Sequence, residues 1–155
     1  MRVDELLVDQ ELAESLDLAR RYIMAGQVRV NGQLVHAASE QVAPDVAIDL
    51  NLGPQFVSRG GDKLAAAFAV FPLDVTDAVC ADVGASTGGF TDCLLQHGAA
   101  TVFAIDVGSG ILHWKLRQDP RVVVMESTNA RMVTALPEPV SFLSVDASFI
   151  SLALL

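Results

Sequence analysis

Cysteine is scarce in this chain of 155 residues, which contains only Cys80 and Cys93. One falls in a predicted strand and the other in a predicted helix, so they provide neither a disulfide framework nor the ligand spacing of a metal site. We predict two buried free thiols, no bound metal and a reducing, cytoplasmic setting.

Positive charge is also in short supply. The chain contains ten Lys and Arg residues and nineteen Asp and Glu residues, so its net charge is −9. Both parts of the chain are acidic, because residues 1–52 have a net charge of −5 and residues 53–155 have a net charge of −4. Non-specific affinity for nucleic acid depends on cations that displace counterions from phosphates. A generally basic surface is therefore excluded, whereas a local basic face is not.

Long hydrophobic runs are missing. The longest uncharged apolar stretch, residues 64–73, has ten residues and includes a proline, whereas a membrane-spanning helix needs about 20 residues. Charged residues interrupt the start of the chain, so no secretory signal is visible. We expect no membrane span. Hydrophobic residues nevertheless make up 52% of the chain, which is enough for an ordered core in one ordinary domain or two small ones.

The first part of the chain, residues 1–52, predicts a small α+β module. Residues 3–9 and 15–25 are predicted helices; Ser15 can cap the second, and Gly26 follows it as a left-handed terminator. Asn31-Gly32 between alternating apolar residues predicts a hairpin over residues 28–35. Residues 46–50 could add a third strand.

After a linker at residues 53–57, the pattern changes to alternating helices and strands over residues 58–155. Helices are predicted from about Ser58 to Phe71 and over residues 91–96 and 111–118. Strands are predicted over residues 79–83, 101–105, 122–125 and 140–145. This alternation is typical of an α/β domain with a mostly parallel sheet. The apolar residues 148–155 begin a further helix, and four strands leave open edges, so we interpret the chain as part of a larger domain.

A glycine-rich turn follows the first of these predicted strands, with the spacing Gly84-x-x-x-Gly88-Gly89. It matches neither dinucleotide nor P-loop spacing. Asp82, which we place in the turn, would repel a pyrophosphate but suits a cationic ligand, and Asp106 suits a ribose diol at a strand end. The pair favours S-adenosylmethionine over NAD. A turn that needs glycine for packing alone, with Asp106 as a solvated strand-end residue, is the alternative.

Further polar residues have two possible roles each. Asp146 ends the fourth predicted strand and is either catalytic or a helix cap. Lys63 lies in the first turn of a predicted helix, where it is either a functional cation or an exposed helical lysine. Asn129 could meet an adenine edge or cap a loop. Residues 113–117 are expected to form a helix with one packed tryptophan rather than a surface for base stacking.

A local cationic face is possible in the first module. Polar and cationic side chains, mainly from the second helix and the hairpin, would contact RNA phosphates there. Its members would be Arg2, Arg20, Arg21, Arg29 and Asn31. A normally solvated helix face is the alternative.

The chain as a whole resembles the TlyA family, the hemolysin-like ribosomal RNA 2′-O-methyltransferases in which an S4 RNA-binding module precedes an FtsJ-like domain. The resemblance runs in order along the chain and includes residues 20–28, 30–32, 57–64, 82–95, 113–122 and 146–151. The first module departs from the family in being acidic. The resemblance leaves the modified nucleotide and the oligomeric state open.

The resemblance implies roles for individual residues. Lys63 and Asp146 match half of a catalytic Lys-Asp-Lys-Glu set around a ribose 2′-hydroxyl, and the other half would lie beyond Leu155. The cofactor implied is S-adenosylmethionine, and the partner is ribosomal RNA or a ribosomal subunit. The residues implied to hold the cofactor are Asp82, Gly84, Ser86, Thr87, Gly88, Gly89, Phe90, Asp106 and Asn129. Competing hypotheses are a non-catalytic RNA-binding fragment, a membrane-lytic protein and an NAD enzyme.

Overall fold

The structure of the chain is a computed structural model that describes residues 1–147. The helix start predicted over residues 148–155 lies outside the described residues. Two compact units divide between Gly53 and Pro54.

The first unit contains two helices followed by a small antiparallel sheet. The elements are α1 (Val3–Asp9), α2 (Leu16–Met24), β1 (Val28–Val30), β2 (Gln33–Leu34) and β3 (Ile48–Leu50). β1 occupies the centre of the sheet, between β2 and β3. A core that includes Val3, Leu7, Ile23 and Val28 joins the helices to the sheet.

The predicted local signals explain the boundaries of these elements. The Ser15 hydroxyl accepts a hydrogen bond from the Leu18 N–H at 3.2 Å and so caps α2. Gly26 follows α2 with a φ of +70°, in the left-handed region that favours glycine. Asn31 and Gly32 both have positive φ angles and connect β1 to β2, as the hairpin prediction required.

The second unit is an α/β domain built on a parallel sheet, as predicted. Its elements are α3 (Arg59–Val70), β4 (Val79–Val83), α4 (Gly89–Gln96), β5 (Thr101–Ile105), α5 (Trp114–Arg117), β6 (Val122–Met125), the 3-10 helix η1 (Ala130–Met132) and β7 (Phe142–Val145). The strand order is β6-β5-β4-β7, and every pair of neighbours is parallel.

One face of this sheet carries the main core. Side chains of α3, α4 and α5, including Leu64, Leu94 and Leu116, pack there against Val102 and Ala104 of β5. Both cysteines belong to this core as free thiols, which confirms that prediction, and burial raises the pKa of each to about 11. The opposite face holds a smaller cluster, in which Phe103 and Ile105 meet residues of the 130–140 segment.

The fifth helix differs most from its prediction. We expected a helix over residues 111–118 that packs its tryptophan, but only residues 114–117 are helical and Trp114 is 65% exposed. The Leu112 N–H donates instead to Glu126, and the carbonyl of Leu112 accepts from Arg117 Nε. Leu112 and Leu116 supply the buried contacts, so the indole is left outside the core.

Candidate active site

Four strand ends align along one edge of the parallel sheet. Val83 is in register with Ile105 and with Val145, and Ile105 is in register with Met125. The residues that follow these ends therefore stand side by side. They are Gly84, Asp106, Glu126 and Asp146. Ligand crevices of open α/β sheets form at this carboxyl edge, and here it carries three carboxylates beside a glycine.

A cavity of about 420 Å³ opens at this edge. Both apolar and polar groups line it, as expected for a small-molecule site. Its lining comprises Val83, Gly84, Ser86, Ile105, Asp106, Val107, Ile111, Thr128, Asn129, Ala130, Arg131, Asp146 and Ala147.

Lys63 meets Asp146 at the rim of this cavity. Lys63 Nζ lies 3.1 Å from Asp146 Oδ1 and donates a hydrogen bond to it. The lysine comes from the first half of α3, whereas the aspartate directly follows β7. The structure thus brings together the two residues predicted as catalytic, and only the aspartate lines the cavity.

Asp106 organises the backbone around the cavity. Its Oδ2 accepts a hydrogen bond from the Ser86 N–H at 2.8 Å, and its Oδ1 accepts one from the Gly108 N–H at 2.7 Å. The side chain therefore links the glycine turn to the loop after β5. Among the described residues its hydrogen-bond donors are backbone amides, so its carboxylate is not neutralised by a paired cation.

The glycines of the turn are required by close packing. Gly84 has a φ of +78°, and a Cβ there would lie 2.5 Å from the carbonyl oxygen of Asp146. A Cβ at Gly88 would collide with Leu116 and Leu112 of the α5 region, and one at Gly89 would collide with Ser58 and the Gly61 backbone. The turn therefore brings α5, α3 and the end of β7 close to the cavity edge.

Asp82 occupies a different place from the one we predicted. It lies within β4 rather than in the turn, is fully buried, and does not line the cavity. Thr91 Oγ1 donates to Asp82 Oδ2 at 2.7 Å, and Ser144 Oγ donates to Oδ1 at 3.3 Å. Burial raises the pKa of Asp82 to about 6. Because side chains alternate along a strand, this carboxylate points towards α4 and not into the crevice.

The other predicted cofactor residues separate into two groups. Gly84, Ser86, Asp106 and Asn129 line the cavity, as does the predicted catalytic Asp146. The Asn129 Oδ1 also caps η1 by accepting from the Arg131 N–H at 3.0 Å. The remaining predicted residues support the turn from outside the lining: Thr87, Gly88, Gly89 and Phe90. Thr87 is exposed, and its carbonyl accepts from the His113 N–H at 3.0 Å.

Glu126 is a residue that the sequence analysis missed. It accepts hydrogen bonds from the N–H groups of Gly110 and Leu112 and forms an ion pair with Arg117. The hydrogen bond from the Gly110 N–H, together with the ion pair to Arg117, holds the pKa of Glu126 below its usual value. It fixes the 107–112 loop, which supplies Val107 and Ile111 to the cavity. Glu126 directly follows a predicted strand, as Asp106 and Asp146 do, and this position could have identified it from the sequence.

Three of the arginines predicted to contact RNA form ion pairs with carboxylates inside the first unit. The fully buried Asp4 receives Nε and Nη2 of Arg2 and Nε of Arg20, at 2.8 to 2.9 Å. Arg2, with a contribution from Arg20, lowers the pKa of Asp4 to about 2. Arg21 pairs with Asp17 one helical turn away.

The hairpin retains exposed polar groups. Arg29 and Asn31 are both exposed, and Arg29 Nη1 donates to the Gly32 carbonyl at 3.1 Å. Across residues 1–147, no cluster of side chains suits a metal ion. No helix in that range has the length and apolar character needed to cross a bilayer.

Comparison with known families matches both units. The model of the FtsJ-like methyltransferase family matches residues 56–154, and the model of the S4 domain matches residues 1–48. The relatives are similar over almost the whole chain. The candidate rRNA methyltransferase YqxC of Bacillus subtilis is 47% identical over 161 residues, which cover 99% of this chain and 56% of that protein.

Two further proteins extend the comparison. The 16S/23S rRNA (cytidine-2′-O)-methyltransferase TlyA of Mycobacterium tuberculosis is 48% identical over 158 residues, covering 98% of this chain and 58% of that protein. The solved structure of a candidate hemolysin from Streptococcus thermophilus superposes with a TM-score of 0.63 at 46% identity, covering 99% of this chain and 58% of the other. The chain thus spans little more than half the length of these relatives. It belongs to the TlyA family, in which an S4 domain is joined to an FtsJ-like methyltransferase domain.

Proposed function

We propose that the protein transfers a methyl group from S-adenosylmethionine to a ribose 2′-hydroxyl of ribosomal RNA. The observation that carries the proposal is the Lys63–Asp146 pair, held at 3.1 Å on the rim of a cavity at the carboxyl edge of the sheet. Methyltransferases with an FtsJ-like domain generally use S-adenosylmethionine. Because the M. tuberculosis relative is named for cytidine 2′-O-methylation, we propose a cytidine as the modified nucleotide.

The cavity fits this cofactor in size and chemistry. Its volume of about 420 Å³ lies within the range of small-molecule sites. Asp106 offers a carboxylate without a cationic partner among the described residues, which suits the ribose diol. The loop around Gly84 and Ser86 would hold the methionine end, and Asn129 would lie near the adenine. Bound there, S-adenosylmethionine supplies an electrophilic methyl group.

The chain's own residues then orient the acceptor. Asp146 fixes Lys63 Nζ by accepting one of its three N–H groups, which leaves the others to face a ribose oxygen. Such a donor can stabilise the negative charge that develops on the 2′-oxygen as this oxygen attacks the methyl group and its proton passes to solvent water. Asp82 takes no direct part in this proposal. It anchors Thr91 of α4 and Ser144 of β7 beneath the edge.

Residues 1–52 would bind the RNA, with residues 53–57 as a linker and residues 58–155 as the beginning of the transferase domain. Arg29 and Asn31 on the exposed hairpin and Arg21 on α2 would contribute phosphate contacts. Arg2 and Arg20 would add only those donors that Asp4 leaves free. The partner we propose is therefore ribosomal RNA within a ribosomal subunit.

Calorimetry on this chain tests the cofactor half of the proposal. S-adenosylmethionine should bind with one site per chain, whereas NAD should give no heat at equal concentration. Asp106→Ala should weaken the first titration, and Glu138→Gln, an exposed acid outside the cavity, should leave it unchanged. Binding of NAD in preference to S-adenosylmethionine would contradict the proposal.

A further inference from the structure

Trp114 is the only tryptophan of the chain and stands exposed beside the candidate active site. It is 65% exposed, although tryptophan is among the side chains that gain most from burial. It is absent from the lining of the cavity, to which Ile111, three residues earlier, belongs. Its exposed indole is therefore available to a partner other than the methyl donor.

The backbone that carries Trp114 is firmly held. Leu112 and Leu116 on either side of it are 4% and 1% exposed. The His113 N–H donates to the carbonyl of Thr87 in the glycine turn, and His113 Nδ1 accepts from the Lys115 N–H at 3.1 Å. A backbone held in this way is preorganised, so binding a ligand there costs little backbone conformational entropy.

A second aromatic ring and local positive charge accompany the indole. The rings of His113 and Trp114 lie 5.7 Å apart between centroids, with 30° between their planes. Residues 107–118 contain no Asp or Glu; Arg117 is paired with Glu126, and the exposed Lys115 has no ion-pair partner among the described residues. An aromatic surface beside an exposed cation is the combination that binds unpaired nucleotides by stacking and phosphate attraction.

We propose that Trp114, with His113 and Lys115, is a stacking surface for an unpaired base of the substrate RNA next to the nucleotide that is methylated. The hydrogen bond from His113 to Thr87 connects this surface to the glycine turn at the cofactor cavity. A base stacked on the indole would hold the strand beside Lys63 and Asp146. The proposal rests on the proposed function, since it names how the same site grips its RNA.

Intrinsic fluorescence provides a direct test, because the single tryptophan reports on this surface alone. The chain is titrated with a short unstructured RNA and with a strand of equal length and charge that lacks its bases. The intact RNA should quench Trp114, and the abasic strand should not. Trp114→Ala should weaken RNA affinity about tenfold, as loss of one base–aromatic stack predicts, and Trp114→Phe should restore most of it.

Phe71 provides the matched control, since it is an exposed aromatic residue of the same unit at 59% exposure. Phe71→Ala should bind RNA as the unaltered chain does. Unaltered RNA affinity in Trp114→Ala, equal quenching by both strands, or an indole already shielded from acrylamide would overturn the stacking proposal while leaving the methyltransferase proposal standing. Absence of both RNA binding and methyl transfer would overturn the two together.

Discussion

Lys63 Nζ and Asp146 Oδ1 lie 3.1 Å apart, although 83 residues of sequence separate them. The side chains are 67% and 44% exposed, and an ion pair as exposed as this contributes at most about 1 kcal/mol to stability. Stability is therefore a weak explanation for its presence. Its position at the carboxyl edge of the sheet favours a role in the reaction.

Replacing either partner should remove activity while sparing the fold. Lys63→Ala and Asp146→Asn in the full-length protein should each reduce the rate of methyl transfer by about 100- to 1,000-fold, the usual range when a donor to a developing oxyanion is lost. Thermal melting and S-adenosylmethionine affinity of Lys63→Ala should stay near the original values. Asp62→Asn, which alters an exposed acid beside Lys63 on α3, is the control and should retain its rate. Full activity of Lys63→Ala would remove the lysine from the mechanism.

Gly84→Ala should disturb the same pair through the backbone. The φ of +78° is strained for alanine, and the new methyl group would lie 2.5 Å from the Asp146 carbonyl oxygen. We expect a loss of about 1–3 kcal/mol in the free energy of unfolding together with weaker cofactor binding. Gly110→Ala is the comparison, because its φ is also positive but nothing lies within 4 Å of its added methyl group. Equal effects of the two substitutions would mean that strain alone matters.

Asp106→Ala should weaken S-adenosylmethionine binding by about 10- to 100-fold, because the carboxylate both faces the cavity and holds two backbone N–H groups. Isothermal titration measures the change. Asp106→Asn separates the contributions, since an amide keeps an acceptor but places N–H against a backbone donor. If Asp106→Ala bound the cofactor as tightly as the original chain, the ribose would have to lie elsewhere.

The raised pKa of Asp82 predicts that stability depends on pH in a distinctive way. Burial raises its folded-state pKa to about 6, above the usual value near 4 for an unfolded chain. Between these two values the folded state binds more protons than the unfolded state, so this group makes stability fall as pH rises from about 4 to about 6. Above pH 6 the free energy of unfolding stays lower than at pH 4 by on the order of 3 kcal/mol from this group.

Asp82→Asn should remove that pH-dependent loss while still meeting the Thr91 and Ser144 hydroxyls. Denaturant unfolding of the two proteins between pH 4 and pH 8 provides the measurement. The stability difference should change in favour of the variant as pH rises through the interval and then stay constant. A difference that is constant across the whole range would contradict the raised pKa.

The sequence predicted much of the fold because its signals were local. Ser15, Gly26 and Asn31-Gly32 act through nearby backbone groups, so their effects could be derived without tertiary contacts. The strands over residues 79–83, 101–105 and 122–125 were predicted with the bounds observed, since continuous apolar runs mark buried parallel strands.

The errors arose where distant contacts decide the outcome. Trp114 was predicted as packed because aromatic residues usually are, but Leu112 and Leu116 occupy the buried positions around Gly88. Asp82 was placed in the crevice because a residue so near the end of its strand was taken to face the turn, whereas its carboxylate accepts from Thr91 and Ser144 in the interior. Glu126 was missed, since its partners Gly110, Leu112 and Arg117 meet it only through the loop after β5.

The chemical location of the transferred methyl group tests the central claim most directly. The full-length protein is incubated with ribosomal subunits and S-adenosylmethionine that carries a labelled methyl group, and the RNA is then hydrolysed in alkali. Alkaline cleavage requires the free 2′-oxygen, so a 2′-O-methyl group protects the adjacent phosphodiester. We predict that the label appears in alkali-stable dinucleotides, and that Lys63→Ala produces none. Label confined to mononucleotides would show base methylation and would contradict the mechanism proposed for Lys63 and Asp146.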